Sequence, residues 1–100
     1  MKRQVGQDQV WGYVRAVHDG DTFSLHITSQ SGRNQYNYRD QERVRLKGVN
    51  APELGSRGAQ AATRRLAQLS GQRVRCFVHG RDVYGRLICD VSRAPSDYAR

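Results

Sequence analysis

Three short segments of this 100-residue chain carry the residue types that phosphate chemistry uses. The first, DGDT at residues 19–22, has two carboxylates whose oxygens could bind a hard cation. The second, RLKGVNAPE at residues 45–53, places an arginine, an amide and a glutamate within one strand-to-helix connection. The third, DVYGR at residues 82–86, has an arginine that could hold a phosphate and a tyrosine that could contact a base or a sugar. Each segment also has a purely structural interpretation, because Asp-Gly and glycine-containing turns are typical of hairpins.

The charge balance points to a polyanionic partner. Lysine and arginine number 17 against nine acids, which gives a net charge of +8 and a pI near 10.3. A field of that sign attracts phosphate backbones, so DNA and RNA are the expected partners. No apolar run approaches the length of a membrane span, and the N-terminus has no apolar signal-peptide core. We therefore expect no membrane partner and a cytoplasmic location.

Hydrophobic periodicity supplies the elements that must position these segments. Apolar residues alternate with polar ones, as in half-buried strands, or are β-branched and aromatic, at residues 11–17, 23–28, 43–47, 73–78 and 87–91. Between the third and fourth strands, Ala59, Ala62, Leu66 and Leu69 form an apolar stripe with helical spacing, which Gly71 can end. Three strands, one helix and two strands predict a mainly β fold, a five-stranded Greek-key barrel of the OB type.

We expect one domain over residues 1–100, with a core at about residues 10–91 and a frayed tail at residues 92–100. The segment at residues 29–41 is predicted to be a polar loop. Cys76 and Cys89 lack metal-ligand spacing, so a zinc site is not expected. A hairpin centred near Asp82 and Val83 would place the two cysteines opposite each other, either as buried free thiols or as a disulfide, and the missing export signal favours thiols.

Taken in this order and around these strands, DGDT, RLxGxxAPE and DxYGR resemble the thermonuclease family, the staphylococcal or micrococcal nuclease-like proteins. The resemblance covers about residues 10–91. It implies an OB-fold barrel that hydrolyses phosphodiester bonds of DNA and RNA with Ca²⁺ and with low sequence specificity.

The resemblance also implies a metal site. Asp21 matches the family's carboxylate ligand of calcium, and Asp19 matches a nearby acid in the outer shell. Asn50 stands where the family usually has a second aspartate ligand, and Ala51 stands where a backbone carbonyl binds the metal. Because an amide oxygen carries no charge, we expect Asn50 to weaken metal binding without abolishing it.

The remaining matches concern water and phosphate. Glu53 matches the glutamate that orients or deprotonates the attacking water, and Arg45 and Arg86 match the two arginines that grip the scissile phosphate. Tyr84 matches a tyrosine that contacts the substrate.

The chain departs from the family pattern at its C-terminal end. Family domains continue past the fifth strand with two further helices, whereas this chain stops about nine residues after Val91. We expect a short variant, a monomer whose uncovered barrel face could dock a partner protein. Two other functions stay open, a non-catalytic OB module that binds single strands through basic and aromatic contacts, and an interaction domain.

Overall fold

The computed structural model describes residues 7–50, 52, 55, 56 and 58–95, and these form a closed barrel with one helix. In chain order the elements are β1 (Asp8–Asp19), β2 (Thr22–Gln30), β3 (Gln41–Leu46), α1 (Ala59–Ala67), β4 (Arg73–Arg81) and β5 (Leu87–Arg93). The strands follow one another around the barrel as β1-β2-β3-β5-β4, and β4 returns to β1. β3 and β5 are parallel, and all other neighbours are antiparallel. The OB-type barrel with its helix between the third and fourth strands is confirmed.

The barrel closes around the apolar residues that alternate along each strand. Because successive side chains of a strand point to opposite faces, every second residue faces inward. Full burial of such a side chain contributes roughly 1.5 to 3 kcal/mol. The residues of the strands that are at most 1% exposed are Val10, Val14, Phe23, Leu25, Val44, Val74, Cys76, Leu87 and Cys89.

Helix α1 lies against β1 and covers part of this core with Ala62 and Leu66. The helix ends at Ala67, two residues before the last member of the predicted apolar stripe, Leu69. Leu69 still packs against the core, but from the turns that follow the helix. Those turns end at Gly71, which has a φ of 75° and donates its N–H to the carbonyl oxygen of Val14 at 2.8 Å. The left-handed conformation at that point brings the chain from the helix back onto the barrel.

The ends of the strands also differ from the prediction. β5 extends to Arg93 and so includes the first two residues of the expected tail, while residues 96–100 lie outside the described residues. β2 extends to Gln30, which shortens the polar loop to residues 31–40. No helix in the described part of the chain is long and apolar enough to cross a membrane.

The two cysteines are buried free thiols, but they do not lie opposite each other. Cys76 pairs with Val91, and Cys89 pairs with Val78, so the thiols are diagonal neighbours across β4 and β5. The prediction of a direct pair was wrong because Arg81 pairs with Leu87, which centres the hairpin at Tyr84 and not near Asp82 and Val83. The register shift within β4 offsets this displacement only in part. A hydrogen bond with Cys76, together with burial, raises the pKa of the Cys89 thiol.

Candidate active site

Two adjacent strands bring Arg45 to Asp21. Thr22 of β2 pairs with Arg45 of β3, and the backbone N–H of Leu46 donates to the carbonyl oxygen of Asp21 at 2.8 Å. The Arg45 Nη1 lies 3.7 Å from Asp21 Oδ2, and the two side chains are 22% and 13% exposed. Arg45 Nη1 also donates to the carbonyl oxygens of Leu46, at 2.7 Å, and of Val49. Backbone carbonyls therefore fix the guanidinium beside the carboxylate.

Asn50 reaches the same guanidinium from the connection that follows β3. Its Oδ1 accepts a hydrogen bond from Arg45 Nη2 at 2.9 Å. Gly48, with a φ of 76°, turns the chain out of the strand so that residue 50 comes back toward the end of β3. Asp21 and Asn50 thus present oxygen atoms to opposite nitrogens of one guanidinium.

Arg86 approaches this corner of the barrel, formed by Asp21, Arg45 and Asn50, from the turn that directly precedes β5. Its Nη1 donates to the hydroxyl oxygen of Thr22 at 3.3 Å, and that hydroxyl donates to Asp21 Oδ1 at 2.8 Å. The buried Thr22 side chain thereby links Arg86 to Asp21. The structure brings Asp21, Arg45 and Arg86 together on one face of the molecule.

Asp82 holds Arg86 in place. Its Oδ2 accepts from Arg86 Nε at 2.8 Å, while its Oδ1 accepts the backbone N–H groups of Tyr84 at 3.0 Å and Arg86 at 2.9 Å. Burial raises the pKa of Asp82, but these donors outweigh it, so the pKa lies below its ordinary value. The carboxylate folds the turn and aims the guanidinium at the same time.

Tyr84 projects from this turn into solvent. Its side chain is 81% exposed, and the Arg86 guanidinium lies 5.3 Å from the centre of its ring. Gly85, with a φ of 86°, supplies the left-handed conformation between the two residues. An exposed ring beside a guanidinium can stack on a base or a sugar.

Asp19 lies in the turn between β1 and β2. Its Oδ1 accepts the backbone N–H of Asp21 at 3.0 Å, which is a contact typical of aspartate in a tight turn. This bond sets the backbone conformation at Asp21, so Asp19 acts on the site through its neighbour.

The oxygen atoms at this corner fit a hard cation in kind. Asp21 supplies a carboxylate and Asn50 an amide oxygen, and calcium accepts both types. Within the described ranges, no group of three or more histidine, cysteine, aspartate or glutamate side chains could hold a metal ion. Glu53 and Ala51, the other residues that the family resemblance assigns to the site, lie outside the described residues.

Two residues of this network have no role in the sequence-based prediction. The Thr22 hydroxyl bridges Arg86 and Asp21. The DGDT motif includes Thr22, but its contact with Arg86 becomes evident only once the strands are paired. Asp82 begins the DVYGR motif, and its spacing of four residues from Arg86 is the signal that could have identified it.

No family model matches the chain. It is similar to two proteins that are both named probable endonuclease lcl3. The protein from Aspergillus terreus is 35% identical over an alignment of 107 residues that spans 85% of this chain and 36% of that protein. The protein from Penicillium rubens is 30% identical over an alignment of 103 residues that spans 82% of this chain and 35% of that protein. The chain thus spans about a third of the length of the curated relatives it matches, and the similarity extends over most of the chain itself.

Proposed function

We propose that this chain is a nuclease domain of the thermonuclease type that hydrolyses phosphodiester bonds in DNA and RNA with Ca²⁺ and with little sequence specificity. The observation that carries the proposal is the meeting of Arg45 and Arg86 at Asp21, through a 3.7 Å ion pair and through the Thr22 hydroxyl. The names of the two similar proteins, both probable endonucleases, support the cleavage of nucleic acid.

The arginines would bind the scissile phosphate and stabilise the negative charge that grows on it. Each guanidinium is already oriented, Arg45 by backbone carbonyls and Arg86 by Asp82. Both side chains are only about a quarter exposed, at 22% and 24%. Donors that are fixed before the reaction and partly shielded from water stabilise developing charge better than mobile ones. Their forked geometry also suits two phosphate oxygens at once.

Asp21 and Asn50 would hold the cation, with the backbone carbonyl of Ala51 as a further ligand. Bound there, Ca²⁺ supplies electrostatic polarisation of the phosphate and of a water molecule. In the structure, Asn50 Oδ1 accepts from Arg45, so this oxygen must exchange one positive partner for another when it acts as a ligand. That exchange, and the missing charge at position 50, lead us to expect weaker calcium binding than two carboxylates would give.

Glu53 is proposed to orient or deprotonate the attacking water, and Tyr84 to contact the substrate beside Arg86. A positioned base of this kind contributes roughly 10²- to 10⁴-fold to a rate. Removing one donor that stabilises the transition state costs roughly 10²- to 10³-fold. These two magnitudes set the expectations for the test.

The test is cleavage of plasmid and of RNA with calcium, with excess chelator, and by three variants. We expect cleavage to stop with chelator, and to fall by roughly 10²-fold or more in Glu53→Gln and in Arg86→Ala. Val83→Ala is the matched control, because this residue is 94% exposed in the same turn as Arg86. Cleavage that persists in chelator, or that is unchanged in Glu53→Gln, would contradict the proposal.

A second candidate is a non-catalytic module of the same fold that binds single strands. The observation that favours it is Asn50, whose uncharged oxygen is engaged by Arg45. Strand binding without cleavage at saturating calcium would support this module over the nuclease.

A further inference from the structure

A second concave site lies beside the β4–β5 turn that carries Arg86. A cavity of about 650 Å³ opens there between the loop at residues 31–40, the start of β1 and the end of β4. Its volume falls in the range of small-molecule sites in proteins, roughly 300 to 1,000 Å³. None of the residues assigned to phosphate or metal binding lines this cavity.

Asp8 holds the wall of the cavity in place. It is 8% exposed, and its two carboxylate oxygens accept the backbone N–H groups of Gln35 at 2.9 Å and Tyr36 at 3.1 Å. The hydroxyl of Tyr38 donates to the same carboxylate at 2.6 Å. Three hydrogen bonds to one buried carboxylate give this part of the loop a defined conformation, so the cavity is preformed.

The lining is a mixture of polar and apolar surface, and its charges are already matched. Arg81 donates to Glu42 through Nη1 at 2.9 Å and Nη2 at 3.1 Å, and Asp8 is satisfied by the loop. The groups left for a ligand include the amides of Gln35 and Asn37 and the phenol of Tyr36, since the Tyr38 hydroxyl is already bonded to Asp8. Such a lining suits an uncharged, flat, hydrogen-bonding heterocycle and offers little to a phosphate, which carries a negative charge toward Asp8 and Glu42.

The cavity is connected to the candidate active site through the β4–β5 turn. Arg81 Nη1 donates to the carbonyl oxygen of Gly85 at 2.6 Å, and Gly85 directly precedes Arg86. One guanidinium thus belongs both to the cavity wall and to the support of the turn that carries Tyr84. The side chain of Tyr36, which is 69% exposed, lines the cavity and presents a ring for stacking.

From this arrangement we infer that the cavity is a nucleobase subsite, which takes the base of a nucleotide flanking the phosphate held at Arg86. The inference rests on the proposed nuclease function. The positive corner binds the backbone, and the neutral cavity binds a base that has left the stack, with Tyr36 as its stacking partner. A base can enter a pocket only when it is unpaired, so the substrate strand is single-stranded or locally opened at this position.

The experiment measures binding in chelator, where no cleavage occurs, with a fluorescent oligothymidylate of about ten nucleotides. We expect Tyr36→Ala to bind roughly 5- to 50-fold more weakly than the wild type, because stacking on an aromatic ring supplies that much affinity. Tyr36→Phe keeps the ring and should bind like the wild type. Val83→Ala, an exposed apolar truncation outside the cavity, is the matched control.

A second series removes single bases from the oligonucleotide. At one position an abasic site should weaken binding to the wild type and cause no further loss in Tyr36→Ala, because ring and base are then two halves of one contact. Wild-type affinity in Tyr36→Ala, equal losses in both proteins at every abasic position, or no binding to the oligonucleotide at low salt would each overturn the subsite.

A small diester that carries no base separates the two proposals. Hydrolysis of a dinucleotide analogue that lacks both bases should be lost in Arg86→Ala and unchanged in Tyr36→Ala. If the wild type hydrolyses neither this diester nor DNA while Tyr36 still contributes to strand binding, the nuclease proposal fails and the base subsite stands. If the diester is hydrolysed and Tyr36→Ala binds the strand normally, only the subsite fails.

Discussion

The turn at Asp82 offers a sharp test of how the candidate site is assembled, because one carboxylate folds the turn and aims Arg86. We consider Asp82→Asn and Asp82→Ala. The asparagine can keep its oxygen toward the backbone N–H groups of Tyr84 and Arg86, but it loses the charge opposite Arg86 Nε, which lies 2.8 Å from Oδ2. The alanine loses all three bonds. The two variants therefore separate the charge from the fold of the turn.

The magnitudes follow from the number and kind of these bonds. Each neutral hydrogen bond contributes about 1 kcal/mol net. The bond between Asp82 and the Arg86 guanidinium contributes at most about 1 kcal/mol beyond a neutral bond. The gain is limited because the Arg86 and Asp82 side chains are 24% and 17% exposed, so solvent screens their charges. We expect losses in the free energy of unfolding of about 1 to 1.5 kcal/mol for Asp82→Asn and about 2 to 4 kcal/mol for Asp82→Ala.

The pH dependence has a definite sign. The pKa of Asp82 is lowered in the folded protein, so its stabilisation is complete above the ordinary value of 3.8 and is lost as the pH falls through the lower, folded value. The gap in stability between wild type and Asp82→Asn should thus be full at pH 7 and shrink below about pH 4.

Urea unfolding at several pH values measures the difference in stability between the wild type and Asp82→Asn. Steady-state kinetics measure how the substitution affects cleavage. If Arg86 binds the phosphate, kcat/KM for DNA should fall by roughly 10- to 100-fold in Asp82→Asn, because a misplaced donor no longer meets the reacting group. Asp90→Asn is the control in the same hairpin, with a side chain that is 60% exposed and an expected cost below about 0.5 kcal/mol at pH 7. A gap that is the same at pH 3 and pH 7, or an Asp82→Asn protein with wild-type stability, would refute the reasoning.

Three further outcomes test other parts of the molecule. Arg81→Met leaves the carboxylate of Glu42, which is 7% exposed, without its guanidinium, and should cost about 2 to 3 kcal/mol at pH 7. Burial raises the pKa of Glu42, but its donors, chiefly Arg81, hold it below the ordinary 4.5, so the penalty should shrink in urea unfolding as the pH falls below that value, and a constant penalty would be contrary evidence. Asn50→Asp adds a negative charge at the proposed metal site and should tighten calcium binding roughly 10-fold by calorimetric titration, whereas unchanged affinity would count against Asn50 as a ligand. Gly12→Ala would put a Cβ 2.1 Å from the carbonyl oxygen of His26, so we expect a loss of more than about 3 kcal/mol, and a wild-type melting temperature would exclude the close approach.

Hydrophobic periodicity is sufficient to predict the number, order and type of the elements. The alternation at Phe23 and Leu25, or at Val74 and Cys76, is a local pattern that any strand with one buried face must show. The end of α1 was less predictable, because Leu69 keeps the helical spacing while lying in the turns beyond Ala67. Apolar spacing indicates which residues face the core, but it does not determine whether they lie in a helix or in the turns that follow it.

Long-range contacts were beyond the sequence pattern. The position of Cys76 relative to Cys89 depends on where the β4–β5 hairpin is centred, and the pairing of Arg81 with Leu87 places that centre at Tyr84. The role of Asp8 depends on a loop that begins more than twenty residues later in the chain, since its carboxylate accepts the N–H groups of Gln35 and Tyr36. An aspartate at the start of a strand gives no indication from its neighbours that a distant loop will fold around it.

The pairing of β3 with β5 explains why residues so distant in sequence form one corner. Val44 pairs with Leu87 in parallel, so Arg45, which follows Val44, and Arg86, which directly precedes β5, both lie on the outer face of the barrel beside this pair. Side chains alternate between the two faces of a strand, so a shift of one residue in this register would turn one arginine into the core. Burial of Val44 and Leu87, which are at most 1% exposed, makes that shift costly. The apolar core thus fixes the arginines relative to each other, and Thr22, paired with Arg45 on the other side of β3, brings the carboxylate of Asp21 to them.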